Sequence, residues 1–270
     1  MFSLEGKTAF LTGAAGFLGR TFAVALLESG ARLICTGRGE KLLSLAESWK
    51  AAYGANRCRA IQVDMYDRDR FAAVLDEVAA TEDVRVLVNN AHELGHATGF
   101  NTPAGALENM SFDQWMRNLT GGVFWSALTT QKLGEGMKQG GGSIVNISTM
   151  YALVAPRPKL YEDTNFLNPP GYSASKAALM AFTRYVASFW GSYGIRVNAI
   201  LPGPFSNTED AGPNAVQRED QFVQRLCANT CLGRIGKPHE LTGALLFLAS
   251  DASTYMTGQG VVVDGGWTAV

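Results

Sequence analysis

Three glycines set three residues apart, in Thr12-Gly13-Ala14-Ala15-Gly16-Phe17-Leu18-Gly19, separate an apolar stretch at Lys7–Leu11 from a helical pattern at Arg20–Ser29 that Gly30 closes. No other feature restricts the fold as much. A glycine-rich turn between a strand and a helix lets backbone N–H groups and the helix N-terminus approach a ligand directly, a geometry suited to a pyrophosphate. The spacing is G-x-x-G-x-x-G rather than the commonest dinucleotide pattern, G-x-G-x-x-G. Taken alone, the stretch also reads as an ordinary tight turn.

The same alternation recurs downstream. Arg32–Thr36 reads as a strand ending at Gly37-Arg38, Glu40–Ala52 as a helix, and Arg59–Val63 as a strand ending at Asp64. Asp67–Ala80 is helical, and Val84–Val88 is a strand running into Asn89-Asn90-Ala91. Alternating strands and helices imply an α/β fold, a parallel sheet covered on both faces, with ligands at the C-terminal strand ends. The residues after the second strand choose between cofactors. No acid stands at 35–38 to accept a ribose 2′-OH, whereas Arg38 offers a guanidinium to a 2′-phosphate. That favours NADP(H), with NAD the alternative.

In the second half, Phe112–Lys138 is the longest helical stretch, and Asn118 and Gly121-Gly122 inside it call for either a distortion or close packing. Ser143–Thr149 reads as a strand ending in hydroxyls. A loop over about 150–171 carries Pro156, Pro158, Pro169 and Pro170 and is too long for a bare connector. Tyr172–Trp190 is a helix, Arg196–Leu201 a strand before Pro202-Gly203-Pro204, and about 204–231 suits a lid. Pro238–Ser250 is an apolar helix and Gly260–Val263 a last strand before Asp264-Gly265-Gly266-Trp267. Without a repeat or linker, residues 1–270 read as one domain.

Tyr172 and Lys176 lie one turn apart on one helix face. An ammonium beside a phenol favours the phenolate, so Lys176 is expected to lower the Tyr172 pKa.

Other motifs compete. His92-Glu93-Leu94-Gly95-His96 matches the H-E-x-x-H zinc signature, but it follows a strand and leads into Gly95, Gly99, Asn101, Pro103 and Gly105, so a loop over the cofactor is expected and no metal. Cys227-x-x-x-Cys231 lacks a second pair. Gly171-Tyr172-Ser173-Ala174-Ser175 has serine where a nucleophile elbow needs glycine. A net charge of −1 without a basic block argues against nucleic acid. The N-terminus lacks a signal-peptide pattern, and no apolar run is long enough for a membrane span. Sparse cysteines at 35, 58, 227 and 231 suit reduced thiols in a cytoplasm.

Taken in register, these pieces resemble the short-chain dehydrogenase/reductase family of classical length, over essentially the whole chain. The resemblance rests on Thr12-Gly13…Gly19, Asp64, Asn89-Asn90-Ala91, Asn118, Ser143 to Thr149, Tyr172-x-x-x-Lys176, Pro202-Gly203-Pro204 and Thr257-Gly258-Gln259 to Gly266. It implies a Rossmann-like doubly wound sheet of about seven strands, a nicotinamide cofactor, a small-molecule secondary alcohol or ketone as substrate, and a homotetramer or homodimer. It assigns catalysis to Asn118, Thr149, Tyr172 and Lys176. Tyr172 would exchange a proton with the substrate oxygen, Thr149 would hydrogen-bond that oxygen, and Asn118 would steady a relay water. Cofactor contacts would come from Gly13, Ala15, Gly16, Phe17, Leu18, Gly19, Gly37, Arg38, Asp64, Met65, Asn90, Ala91, His92, Tyr172, Lys176, Pro202, Gly203, Pro204 and Phe205. A non-catalytic nucleotide-binding regulator on the same fold is the alternative.

The chain departs from the family pattern in places. Phe17 stands where the middle glycine of T-G-x-x-x-G-x-G belongs, Thr149 replaces a serine with Ser148 as a substitute, and His92 replaces a common glycine. The loop before Tyr172 is about ten residues longer than usual. Its Pro156, Tyr161, Glu162 and Thr164 resemble a subgroup linked to flagellin modification and sialic-acid-like sugars. Glu162, Asp163 and Asn165 would offer acceptors to a polyhydroxylated substrate.

Overall fold

The computed structural model describes residues 2–164, 166–205 and 221–270. Strands β1 (Thr8–Thr12), β2 (Arg32–Gly37), β3 (Cys58–Gln62), β4 (Val84–Asn89), β5 (Gly142–Ile147), β6 (Ile195–Pro202) and β7 (Gly260–Val263) form one sheet in the order β3-β2-β1-β4-β5-β6-β7. All pairings are parallel. The helices are α1 (Phe17–Glu28), α2 (Lys41–Tyr53), α3 (Arg68–Thr81), α4 (Phe112–Leu119), α5 (Trp125–Met137), α6 (Pro170–Trp190), α7 (Gln221–Ala228) and α8 (Thr242–Ala249).

Parallel strands covered on both faces read as nearly unbroken apolar runs, and alternate residues then serve opposite layers. In β1, Ala9 and Leu11 pack with Phe22 and Leu26 of α1, Leu42 of α2 and Leu245 of α8. Phe10 faces the other way, into a core with Phe71 of α3, Trp125 of α5 and Val186 of α6. The strand order reverses between β1 and β4, which opens a crevice at their C-terminal ends.

The elements follow the expected pattern, with informative shifts. Helix α1 starts at Phe17, because Gly16 adopts an extended N-cap conformation. Helix α6 starts at Pro170, whose missing N–H is harmless in a first turn. The stretch expected as one helix over 112–138 is interrupted by a π-helical turn, Thr120–Phe124. Close packing explains the glycine there. A Cβ at Gly122 would lie 2.1 Å from Ser175 Oγ on α6. The 238–250 helix opens as a 3-10 turn at Pro238–Leu241. Of the expected lid, residues 206–220 lie outside the described residues, while α7 forms its second part. Among the described residues no helix is long and apolar enough to cross a membrane.

A buried chain of side-chain hydrogen bonds crosses the sheet. Thr129 Oγ1 on α5 donates to Asn89 Oδ1 (2.5 Å), and Asn89 Nδ2 donates to Asn146 Oδ1 on β5 (2.8 Å). Asn146 Nδ2 then donates to Thr183 Oγ1 on α6 (2.9 Å). Replacing Asn146 by alanine should destabilise the chain by about 1–3 kcal/mol for each polar group left unpaired. Urea unfolding should show a lower midpoint at unchanged m-value; an unshifted midpoint would refute this role.

Candidate active site

The glycine turn forms a backbone cradle. Gly13 has φ +69°, and a Cβ there would lie 3.0 Å from Ala91 Cα. A Cβ at Gly19 would lie 2.1 Å from Gly13 O, so the first turn of α1 rests directly on the loop. Gly16 caps α1 without a side chain, leaving the first-turn N–H groups to a ligand. Phe17 occupies the first helical position, where glycine is not required, so the shifted spacing still yields a cradle. Thr12 Oγ1 accepts from Asn90 N and Ala91 N, both at 3.0 Å, and Asn90 Nδ2 donates to Thr12 O (3.0 Å). The end of β4 is thereby tied to the cradle.

A cleft of about 370 Å³ runs from this cradle across the C-terminal ends of the strands. Every residue expected at the site lines it except Asp64, Asn118 and Pro204. Asp64 is exposed and its carboxylate accepts from Tyr66 N (3.0 Å), closing a turn. Pro204 lines an adjoining hollow, and Asn118 lies fully buried behind the floor. Sequence reading missed Val63, Trp125 and Ile147 on the wall; Ser148, named as a substitute for Thr149, and Glu93 and Leu94, in the loop expected over the cofactor, also line it. Strand alternation offered a signal for Val63 and Met65, which flank the outward Asp64. Nothing local marked the partners of Glu93, which come from separate segments.

Glu93 organises the mouth. Its carboxylate accepts from Tyr66 OH (2.6 Å) and Arg117 Nη1 (3.0 Å), and pairs with Arg38 Nη1 at 3.2 Å. Burial pushes this carboxyl up, but the three donors outweigh it and hold it below the usual range. Two guanidiniums against one carboxylate leave a positive balance at the mouth, and Arg38 is half exposed. The mouth therefore suits a phosphate. Residues 91–94 form no helix, so the H-E-x-x-H letters do not present two histidines one turn apart. Among the described residues no His, Cys, Asp and Glu side chains cluster to hold a metal. Cys227 and Cys231 are free thiols.

At the floor, Thr149 is the hydroxyl that faces Tyr172; Ser148 Oγ is committed to the Lys176 carbonyl (3.1 Å). Burial pushes the Tyr172 phenol up to about 12, while the hydrogen bond with Thr149 pulls it down. The expectation that Lys176 lowers this phenol is not met. Lys176 Nζ donates instead to Ile147 O (2.8 Å), and burial brings its own pKa down to about 7. A dry floor disfavours both charges, so the phenolate–ammonium pair gains little there. The rings of His92 and Phe100 meet the Tyr172 ring edge-on, at 5.1 and 5.0 Å. Both His92 nitrogens are buried, and burial together with nearby Lys176 outweighs the Gly121 backbone contact and holds the imidazole neutral. Asn118 Nδ2 donates to Thr98 O and Gln114 O, both at 2.8 Å, and its Oδ1 has no partner.

Thr149, Tyr172, Gly203 and Phe205 also line a second hollow of about 260 Å³. The 150–171 loop forms much of its wall. Asn101 N donates to Leu167 O (3.2 Å) and Leu167 N to Asn101 Oδ1 (3.1 Å), joining this loop to the segment after β4. The buried Trp267 packs with Met150, Leu160 and Leu226, so the C-terminal segment supports the loop from behind. Glu162 and Asp163 are exposed and stand off the wall, contrary to their expected role as substrate acceptors; the loop turns them outward at Asp163, whose φ is +56°. Asn165 lies outside the described residues.

The lowered pKa of Lys176 has a measurable sign. Its folded value of about 7 lies below the ordinary value of 10.5, so burial costs stability progressively as pH falls from about 10 to about 7. Lys176→Met should flatten that pH dependence. In carbon-13 NMR of labelled lysines, one signal should titrate near pH 7 and vanish in this variant; uniform titration near 10 would contradict the assignment.

A family model described as enoyl-(acyl carrier protein) reductase matches residues 13–268. Gluconate 5-dehydrogenase of Gluconobacter oxydans (strain 621H) is 33% identical over 272 residues, spanning 99% of this chain and 97% of that protein. Galactitol 2-dehydrogenase (L-tagatose-forming) of Cereibacter sphaeroides is 32% identical over 271 residues, spanning 99% and 97%. The crystal structure of a gluconate 5-dehydrogenase from Burkholderia cenocepacia J2315, in complex with NADP and tartrate, is similar with a TM-score of 0.82. The two chains are 28% identical, and the match covers 100% of this chain and 98% of that one.

Proposed function

The chain belongs to the short-chain dehydrogenase/reductase family, and from that premise we propose that it is an oxidoreductase moving a hydride between NADP(H) and the carbon of a secondary alcohol or ketone. One observation carries the reading: the cleft that carries the glycine cradle and a second hollow meet at Thr149 and Tyr172. The cradle at Gly13, Gly16 and Gly19 and the cationic mouth at Arg38 fit a phosphorylated dinucleotide. Gly13 to Gly19, Arg38, Met65, Asn90 to His92 and Lys176 would hold it. When bound, the nicotinamide supplies or accepts the hydride.

The protein's own part is proton transfer. Tyr172 donates a proton to the substrate oxygen in reduction and removes it in oxidation, and Thr149 hydrogen-bonds the same oxygen. The phenol's value of about 12 supports the acid role at neutral pH, because it stays protonated. Lys176, near 7, is poised to exchange a proton behind it. The unpartnered Asn118 Oδ1 supports a role in accepting from a relay water. Relatives named for gluconate, galactitol and sorbose support a small hydroxylated substrate.

Exposed apolar side chains support assembly. Phe112 and Met116 on α4, Phe124 beside them, and the stacked Tyr185 and Phe189 on α6 are exposed. A homodimer or homotetramer built on these faces would bury them. The free thiols Cys35 and Cys58, buried in the sheet, suit a cytoplasm.

Tyr172→Phe should lower turnover by about 10²–10⁴-fold and leave the NADPH Kd nearly unchanged in a fluorescence titration. Wild-type activity in that variant would remove the mechanism, and a wild-type protein that binds NADPH but turns over no carbonyl or alcohol would favour the regulator. Arg38→Gln should weaken NADPH more than NADH. Equal effects on the two Kd values would remove the 2′-phosphate assignment.

A further inference from the structure

The second hollow has an unusual wall for a protein several of whose relatives are named for sugar acids and polyols. Phe100, Tyr151, Tyr161, Phe166, Phe205 and Phe222 surround the space in front of Tyr172 and Thr149. Phe166 and Phe222 stack at 4.3 Å with an interplanar angle of 18°, and Tyr161 tilts against Phe222 at 5.8 Å. No Asp, Glu, Lys, Arg or His stands on this wall among the described residues. The nearby cations are engaged elsewhere. Arg225 Nη1 donates to Leu160 O (3.3 Å) and to Glu162 O, while Arg157 donates to Asn229 and to Val270 O (3.1 Å).

The wall's hydrogen-bonding groups are few and neutral. Asn101 Oδ1 is already taken by Leu167 N, and the Tyr151 and Tyr161 hydroxyls lie 3.5 Å apart. Asn168 lines the wall, but its Oδ1 is buried away from the open space. A carboxylate brought into such a hollow would lose its hydration and meet no cation among the described residues. Each surplus hydroxyl of an open-chain polyol would lose water partners that this wall does not replace. A ring with an apolar C–H face loses nothing of the kind and packs against aromatic walls.

We propose that this hollow selects an uncharged cyclic alcohol, or the matching ring ketone, over open-chain sugar acids and polyols. The reacting carbon lies at Tyr172 and Thr149, and the ring's C–H face meets the Phe166–Phe222 layer. The inference rests on the hydride-transfer reading above and sharpens its substrate class.

The test is NADPH-dependent reduction by the full chain of two sets of ketones: cyclohexanone with 4-hydroxycyclohexanone, and the open-chain L-erythrulose with acetoacetate. The expected result is a kcat/KM for the ring pair at least about 100-fold above the open-chain pair. If the open-chain pair is reduced as well or better, the substrate-class inference falls and the hydride-transfer reading stands. If NADPH binds and neither set is reduced, nor any alcohol oxidised, both fall.

Discussion

The register of α6 against the sheet rests on Asn146. This fully buried amide bridges Asn89 on β4 and Thr183 on α6, and every member of the chain from Thr129 to Thr183 is removed from water. In that setting an unmade hydrogen bond is costly, so the helix has one acceptable rotation and translation. Lys176 lies two turns before Thr183, and its Nζ and carbonyl meet Ile147 O and Ser148 Oγ at the end of β5. The same strand thus holds the helix at both places. Tyr172, one further turn back, is set opposite Thr149 as a consequence.

Charge is distributed unevenly along the cleft, and the distribution follows solvent access. At the wet mouth, Arg38 and Arg117 share Glu93 and keep a positive balance for an anion. At the dry floor, Lys176 and His92 are drawn toward their neutral forms and Tyr172 keeps its proton. The hollow beyond has no charged side chain among its described residues. Phosphate capture, proton exchange and substrate selection are therefore separated along one path, each where the local dielectric suits it.

Much of this was legible along the chain because it depends on local geometry. The glycine spacing, the strand–helix alternation and the Tyr172–Lys176 interval follow from turn sterics and the helical and strand periods. Phe17 was legible only as an irregularity, and its harmlessness became clear once Gly16 was found capping α1. The role of Glu93 was hidden, since its partners Arg38, Tyr66 and Arg117 come from separate segments. Glu162 and Asp163 were misplaced for a related reason. A loop's composition names its polar groups and says nothing about which way a turn points them.

The sequence by itself determined the parallel sheet, the backbone cradle, the arginine after the second strand, and a phenol and an amine one helical turn apart. Those depend on residue types and on spacings shorter than one element, where sterics act without help from the rest of the chain. Only the tertiary structure decided what the amine does to the phenol. The sheet and α6 close around Tyr172 and Lys176, burial raises the phenol and lowers the amine, and Lys176 turns to Ile147 O. It also decided what the site can accept, because the aromatic wall is assembled from the segment after β4, the 150–171 loop and α7. Burial and long-range contact set pKa values and pocket chemistry, and neither is a property of any stretch of sequence taken alone.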